Sequence, residues 1–423
     1  MVTAGPGTTD AMTGVANAFR AESAMLLIGG QGPLAQHRMG SLQDLPHVDM
    51  MRPITKFAAT VSTTERIADM VSMAFRECYN GAPGPSFLEI PRDVLDARVD
   101  LAKARIPAAN HYRASTRSAG DPHDVERLAD ILVKSERPCV LLGTQVWSCR
   151  AGAAAIEFCR QLNIPAYMNG AARGTFAPGD PHHFHQTRGY AFEQADTIVI
   201  VGTPFDFRMG YGRSLRTDAT VVQIDLSYRT VGKNRDISLG IVGDAGAILS
   251  ATAQAASGRI DNGARRRDGW LSELREQESK RAEALRPRLL SDARPIHPLR
   301  LAHEINPFRR RRIRADWMGL RDLRALRAAL HRSRRQQLAH EPDSLRADGE
   351  IWQGPRRDRK LLGDVHFEQF ARMLGGHGEE VREAKDIGPA LRRARESGKC
   401  ALINVWIDPD VYAPGTMNQT MYK

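Results

Sequence analysis

The sequence predicts an α/β protein built on doubly wound parallel sheets, and three observations carry that prediction. Runs at 138–142, 197–201 and 220–224 are apolar but for Thr197, Thr220 and Gln223, much as strands are when helices cover both faces of a sheet. Stretches with helical spacing of apolar residues, such as 124–134 and 151–162, come between or before such runs. The runs also stop abruptly, at Gly202 and at Asp225, and the ends of strands in such sheets are where ligands bind.

The first block, to about residue 100, has the same alternation. A short β-type run at 2–4 meets Gly5-Pro6-Gly7, and a helix is expected to open there with Thr8 or Thr9 as its N-cap. Glycines at such a junction let backbone N–H groups approach a ligand, so the residues alone suggest a phosphate or cofactor cradle; packing needs would place glycine there equally well. A buried strand is expected at 24–28, ended by a turn at 29–33. Ile67, Met70, Val71, Ala74 and Phe75 mark an amphipathic helix over 63–79, which 81–85 breaks before a strand at 86–90. Residues 101–119 read as a linker to a second block at 120–258, which also includes a strand at 164–168. A charged helical linker, 259–294, leads to a third block at 295–423 that opens with a helix over 295–305. After residue 361 come a helix at 365–374, a glycine-rich turn at 375–378, a short strand near 380–381, a helix at 387–396 and a strand at 401–407.

Between those parts the composition changes. Residues 308–360 hold fifteen Arg and one Lys against five Asp and two Glu, a net +9 of the chain's +11, and contain no Val, Thr, Asn or Tyr. A parallel sheet is not easily built from that composition. Three readings stay open: a basic inserted helix with Leu323, Leu326 and Leu330 on one face; an electrostatic nucleic-acid contact; or a stretch read out of frame between in-frame flanks. Trp317 and Trp352 are its only aromatics besides Phe308, which leaves no stacking platform, and the rest of the chain is near neutral, so no nucleic-acid partner is expected. The out-of-frame reading accounts at once for the abrupt edges, the preference for Arg over Lys and the lost sheet composition.

At 423 residues with 42% apolar content, the chain is long enough for two or three domains with real cores, and no run reaches the ~18 apolar residues of a membrane helix. The five cysteines are scattered, which argues against a disulfide framework or structural zinc and for the cytoplasm. His182, His183 and His185 sit among Pro and Gly and read as a solvated loop, and no metal ligands are assigned.

The strings 3–10, Arg52-Pro53-Ile54-Thr55-Lys56, 81–85 and 89–94 together resemble the thiamine-diphosphate enzymes of the acetolactate synthase group. Gly202-Thr203-Pro204-Phe205-Asp206-Phe207-Arg208 is similar to a central-domain segment of that group, 221–225 to the strand after it, and 401–405 with Asp408 to its last strand. Oxalyl-CoA decarboxylase and 2-hydroxyacyl-CoA lyase carry a similar central motif. The resemblance covers about 1–258 and 361–423. It implies a three-domain architecture: a pyrimidine-binding domain (1–100, here partial), a central Rossmann-like domain (120–258) and a diphosphate-binding domain (295–423). It also implies thiamine diphosphate held with magnesium between subunits of a homo-oligomer. On that basis Gly5, Pro6 and Gly7 border the pyrimidine ring and not a phosphate. Gly202, Phe205, Asp206, Arg208 and Asp225 border FAD, or an ADP-like group. Gln43 falls where the synthases place a Phe-Gln pair lining the substrate entry, and it is the one catalytic-site assignment. Leu42 departs from that Phe, and as a residue Gln43 reads equally well as a polar loop position. The implied activity is decarboxylation and carboligation of 2-keto acids, two pyruvates giving acetolactate and CO2 in branched-chain amino-acid biosynthesis; an acyl-CoA substrate is the alternative.

Two parts of that pattern are missing. The Glu that activates the cofactor lies upstream of the strand with which this chain opens, so the first domain is expected to be truncated. Glu22 is the first carboxylate after Asp10 and has no counterpart in the group. The magnesium motif, Gly-Asp-Gly with a downstream Asn, is due within 308–360 and is not there. The third domain is thus expected to be disrupted and the chain to be inactive, or to act as a non-catalytic partner of a full-length paralogue.

Overall fold

The structure, a computed structural model, describes residues 1–108, 111–259, 261–312, 365–408 and 411. The basic segment therefore lies outside the described residues, apart from its first few. The described chain divides into two units, Met1–Glu278 and Ser279–Lys423.

The first unit holds two parallel sheets. In the smaller one, β1 (Met25–Gln31), β2 (Phe57–Thr60) and β3 (Pro85–Pro91) run in the order β1-β3-β2. Every residue of β3 is buried, because α1 (Pro6–Arg20) and α2 (His47–Met51) lie on one face of the sheet and α3 (Ile67–Tyr79) on the other. Leu88, Ile90, Met70, Ala74 and Val61 fill the α3 side, and Phe87, Leu27, Val15 and Met51 the α1 side. α4 (Arg92–Asp96) follows β3.

The larger sheet has five strands, in the order β5-β4-β6-β7-β8: β4 (Pro138–Leu142), β5 (Ala166–Met168), β6 (Thr197–Val201), β7 (Thr220–Asp225) and β8 (Leu239–Val242). All its pairs are parallel. α5 (Pro122–Lys134), α7 (Gly152–Gln161) and α9 (Ala245–Ala256) pack on one face around Leu128, Phe158 and Ile248. α6 (Thr144–Ser148) follows β4. The opposite face packs around Tyr167, Phe192 and Phe205, with α8 (Arg188–Gln194) and the start of α10 (Asp261–Leu289).

Charge alone makes the α10 stretch a linker, yet Trp270, Leu271 and Leu274 are buried in this core. The Trp270 indole donates to the Pro138 carbonyl at 3.0 Å. Arg267, fully buried, donates to the carbonyls of Leu132 and Ser135 at the end of α5 and of Leu162 at the end of α7. One guanidinium thus satisfies orphan C-terminal carbonyls of two helices, the end at which a cation is favoured.

The second unit is smaller in its described part. β9 (His377–Val381) and β10 (Ala401–Val405) pair in parallel, with α11 (Pro298–Arg312), α12 (Phe367–Met373) and α13 (Ala384–Glu396) around them. Ile296, Leu301, Val381, Ile387 and Ala390 form its core.

Two expectations fail in instructive ways. The predicted turn at 29–33 is strand through Gln31, with Gly29 opposite Glu89 and Gly30 opposite Ile90. These glycines serve close approach: a Cβ on Gly29 would stand 2.8 Å from the Thr8 hydroxyl and 3.0 Å from the Phe87 ring. The histidine loop is solvated only in part: His185 is exposed, whereas His182 and His183 are half-buried. His183 stacks on Phe176 with ring centres 5.8 Å apart, and burial, helped by the neighbouring His185, pushes its pKa down to about 4.

Candidate functional site

The opening segment lies along β1: Val2 pairs with Gly29, its N–H donating to the Ile28 carbonyl at 2.9 Å and its carbonyl accepting from Gly30 at 3.2 Å. The chain then turns at Gly5, whose φ of 60° and ψ of −121° suit glycine. A Cβ there would lie 2.7 Å from the Gln43 Cβ, and one on Gly7 would lie 2.6 Å from the Thr3 methyl. α1 begins at Pro6, a residue preorganised for the first helical position. Neither Thr8 nor Thr9 is the N-cap, then. Both amides donate to the Gly5 carbonyl, and the two hydroxyls are used on Thr3 and Pro6 carbonyls at 3.1 Å.

The Gly5 amide is not offered to an anion. It donates to His47 Nε2 at 2.9 Å, so that nitrogen carries no proton, and the other, Nδ1, donates to Glu89 Oε2 at 2.8 Å. Glu89 also accepts from Gln31 Nε2 at 3.2 Å and from the Thr60 hydroxyl at 2.8 Å. His47 is fully buried and Glu89 is 4% exposed. A carboxylate on β3, fed from the ends of β1 and β2, therefore fixes an imidazole, which in turn fixes the backbone of the turn. The residue reading assigned no role to His47, Gln31 or Glu89. The available signal was a polar residue near the end of each buried strand, with Gly29 in register with Glu89 and Thr60 opposite Glu89.

Gln43 is brought to this turn. Its backbone takes φ 64°, and its Cβ packs over Gly5, where glycine leaves the space. Leu42 beside it is 86% exposed.

In the central sheet, Gly202 follows β6 with φ 62°, and its amide donates to the Ile224 carbonyl at 2.8 Å. A Cβ on Gly202 would collide with the Gln145 side chain, and one on Gly143 with the Gly202 carbonyl, so these two loop backbones are in direct contact. Asp225, at the end of β7, is 1% exposed. Its Oδ1 accepts from Gln145 Nε2 at 3.0 Å and from the Ser227 amide at 2.8 Å, while its buried Oδ2 has no hydrogen-bond partner. Gln145 Nε2 also donates to Glu22 Oε2 at 2.9 Å, tying the end of α1 to the central sheet. Burial pushes Asp225 up to about 6, against the Gln145 hydrogen bond and with help from the Glu22 charge. Burial likewise raises Glu22, against the Gln145 hydrogen bond and the charges of Arg208 and Lys56.

Of the other predicted residues, Arg208 reaches this cluster only through its charge on Glu22. Asp206 and Arg208 pair with each other through Nε at 3.1 Å and Nη2 at 2.7 Å. The Phe205 side chain is 1% exposed, in the core. The residues present fit the implied groups unevenly. An orphaned, buried carboxylate oxygen at the end of a parallel strand fits a hydroxyl-bearing ligand such as the ribose of FAD or of an ADP-like group. At Gly5 and Gly7 the space a Cβ would take is already filled by Gln43 and the Thr3 methyl, so these glycines serve packing within the chain. The magnesium ligands do not fit: no Gly-Asp-Gly string occurs anywhere in the sequence.

Comparisons with known proteins bear on the domains that carry these residues. Residues 1–51 match the family model of the thiamine pyrophosphate enzyme N-terminal TPP binding domain, and residues 125–252 that of the thiamine pyrophosphate enzyme central domain. Residues 1–51 and 125–252 are thus similar to the N-terminal and central domains of the thiamine pyrophosphate enzymes. Among individual proteins, it is 28% identical over 477 residues to the acetolactate synthase large subunit IlvG of Mycobacterium tuberculosis, covering 99% of this chain and 85% of that one. A probable acetolactate synthase of Mycobacterium bovis is similar to the same extent. It is also 28% identical to 2-hydroxyacyl-CoA lyase 2 of Homo sapiens, over 72% of this chain and 54% of the relative.

Proposed function

We propose that this is an acetolactate synthase-like chain in which Gly5, Pro6 and Gly7 border the pyrimidine ring of thiamine diphosphate. In this reading Gln43 lines the entry for a 2-keto acid, and Gly202, Phe205, Asp206, Arg208 and Asp225 border FAD or an ADP-like group. One observation carries the proposal: Gln43 is packed on the Gly5 turn within the matched N-terminal domain, so the substrate-entry residue and the ring-bordering residues are neighbours. Thiamine diphosphate, when bound, supplies the electron sink for decarboxylating a 2-keto acid. The chain's own part is to hold the turn rigid through His47 and Glu89 and to place Gln43 over it.

We also propose that the chain does not complete that reaction by itself. Nothing in the sequence supplies the Gly-Asp-Gly string with which the group anchors the diphosphate through magnesium. It would then assemble as a homo-oligomer with an idle diphosphate side, or with a full-length paralogue. An acyl-CoA substrate is the second reading, favoured by the similarity to the lyase.

The test is an assay of the full chain with pyruvate or a 2-hydroxyacyl-CoA, each with added thiamine diphosphate and magnesium, beside a titration with FAD. The expected result is no acetolactate and no CoA-dependent cleavage, together with saturable FAD quenching that Asp225→Asn weakens at least tenfold. Acetolactate formation would overturn the inactivity, and FAD binding unaffected by Asp225→Asn would overturn the site.

A further inference from the structure

Outside these sites the second unit brings together three metal-ligating groups that no part of the proposed function uses. His366 stands just before α12, Glu368 lies in its first turn, and Glu380 is on β9. One ligand atom from each lies within 4.8 Å of the other two. His366 Nδ1 is 3.0 Å from Glu368 Oε1 and 3.4 Å from Glu380 Oε2.

Those separations bear on what could sit among them. Three donors about 2.0–2.2 Å from a tetrahedral ion stand roughly 3.3–3.6 Å from one another. The two imidazole–carboxylate distances already bracket the lower part of that range, and the two carboxylates' ligand oxygens lie within 4.8 Å of each other. Groups outside the trio also aim its oxygens. Asn404 Nδ2 on β10 donates to Glu368 Oε2 at 3.0 Å, and the Trp406 indole donates to Glu380 Oε1 at 3.0 Å. Each carboxylate is thus held by its far oxygen, and the near oxygens, Glu368 Oε1 and Glu380 Oε2, face the imidazole. Neighbours that fix a ligand's orientation in this way are the usual support of a metal site. Arg382 also binds Glu380 Oε1 and balances one of the two negative charges.

Burial is graded across the trio. Glu368 is 3% exposed, whereas the His366 side chain is 40% exposed, so an ion has a route in from solvent and a fourth position open to water. We propose that His366, Glu368 and Glu380 form a site for a borderline divalent ion, zinc before manganese, with water as its fourth ligand. An imidazole among the donors selects such an ion over magnesium, which prefers six oxygens.

The competing account is an ion pair, with a protonated His366 bridging two carboxylates. Zinc titration of the full chain against a chromophoric chelator separates the two. One zinc per chain is expected, with affinity lowered at least tenfold in His366→Gln and in Glu380→Gln and unmoved by millimolar magnesium. Circular dichroism of each variant checks that it is folded; Glu368 is left in place because it is buried. His183→Gln with His185→Gln removes the chain's other histidine group as a source of adventitious zinc. The proposal is overturned if no zinc binds, if the His366 and Glu380 variants bind as tightly as the parent, or if the His183/His185 double variant abolishes the binding.

Discussion

At the scale of single residues, the chain's polar interior is organised around two carboxylates that behave differently. Glu89 is buried but saturated with donors, and its function is structural: it fixes the tautomer of His47 and through it the amide of Gly5. Replacing His47 by Ala would leave both the Gly5 N–H and the Glu89 carboxylate without their partner in a water-free place. That is expected to cost about 3–5 kcal/mol, measured as a lowered denaturation midpoint, whereas His47→Gln, which keeps an acceptor and a donor, should cost less than half as much. Asp225 is buried with one oxygen unpartnered, and its pKa is raised to about 6. The folded chain therefore holds a proton on Asp225 between about pH 4 and 6 that the unfolded chain has released. The associated stability is fully present below pH 4 and is lost as pH rises through 6. Asp225→Asn removes that penalty, so its stability advantage over the parent should grow from near zero at pH 4 to on the order of 2–3 kcal/mol at pH 7.5. Urea titrations at the two pH values measure it, and a difference that shrinks as pH rises would refute the assignment. Asp225 was singled out in the sequence as the end of its strand, but not its bond to Gln145, 80 residues away, and Glu89 was given no role because its donors lie 29 to 58 residues away.

At the scale of elements, what the sequence made legible was what burial dictates. The strands at Pro138–Leu142 and Thr197–Val201 fall where their apolar runs lie, because a strand covered on both faces has no other composition available. β8 and α9 were not foreseen. Leu239-Gly240-Ile241-Val242 is too short to stand out, and α9 is rich in alanine and buried on most of its surface, so it shows little amphipathic contrast. The reading of 29–33 as a turn failed because glycine in a strand can mark a neighbouring backbone instead of a bend. That distinction is testable on two glycines. Gly29→Ala drives a methyl group against Thr8 and Phe87 and is expected to destabilise by about 1–3 kcal/mol. Gly14→Ala, inside α1 with nothing within 4 Å, is expected to stabilise by about 0.5–1 kcal/mol. Thermal unfolding of the two variants should move in opposite directions, and a shared direction would show that the Gly29 contact is not what sets its cost.

At the scale of the whole molecule, the order of the blocks was legible from the motif strings. The charged helix at 259–294 was legible as a helix but not in its buried side, since its charged surface hides Arg267, Trp270 and Leu274 among solvent-facing residues. Within the first unit the two sheets are unequal. The five-stranded sheet is buried on both faces over most of its length, while the three-stranded sheet rests on two small clusters. Local stability follows buried apolar contact, so the smaller sheet should open first. The cysteines report on this without any substitution. All five are free. Cys400 is exposed, Cys78 is buried beside the small sheet with its thiol on the Met25 carbonyl, and Cys139, Cys149 and Cys159 are buried in the central block. Burial raises the thiols of Cys139, Cys149 and Cys159, which keeps them out of the reactive thiolate form while that block is folded. A thiol reagent should therefore count one fast group per native chain, a second at low denaturant and the last three together at a higher concentration. The release of Cys78 together with the central three would mean that the Gln145–Glu22 link makes one cooperative unit of the two sheets. In that case Glu22→Ala should separate the transitions again.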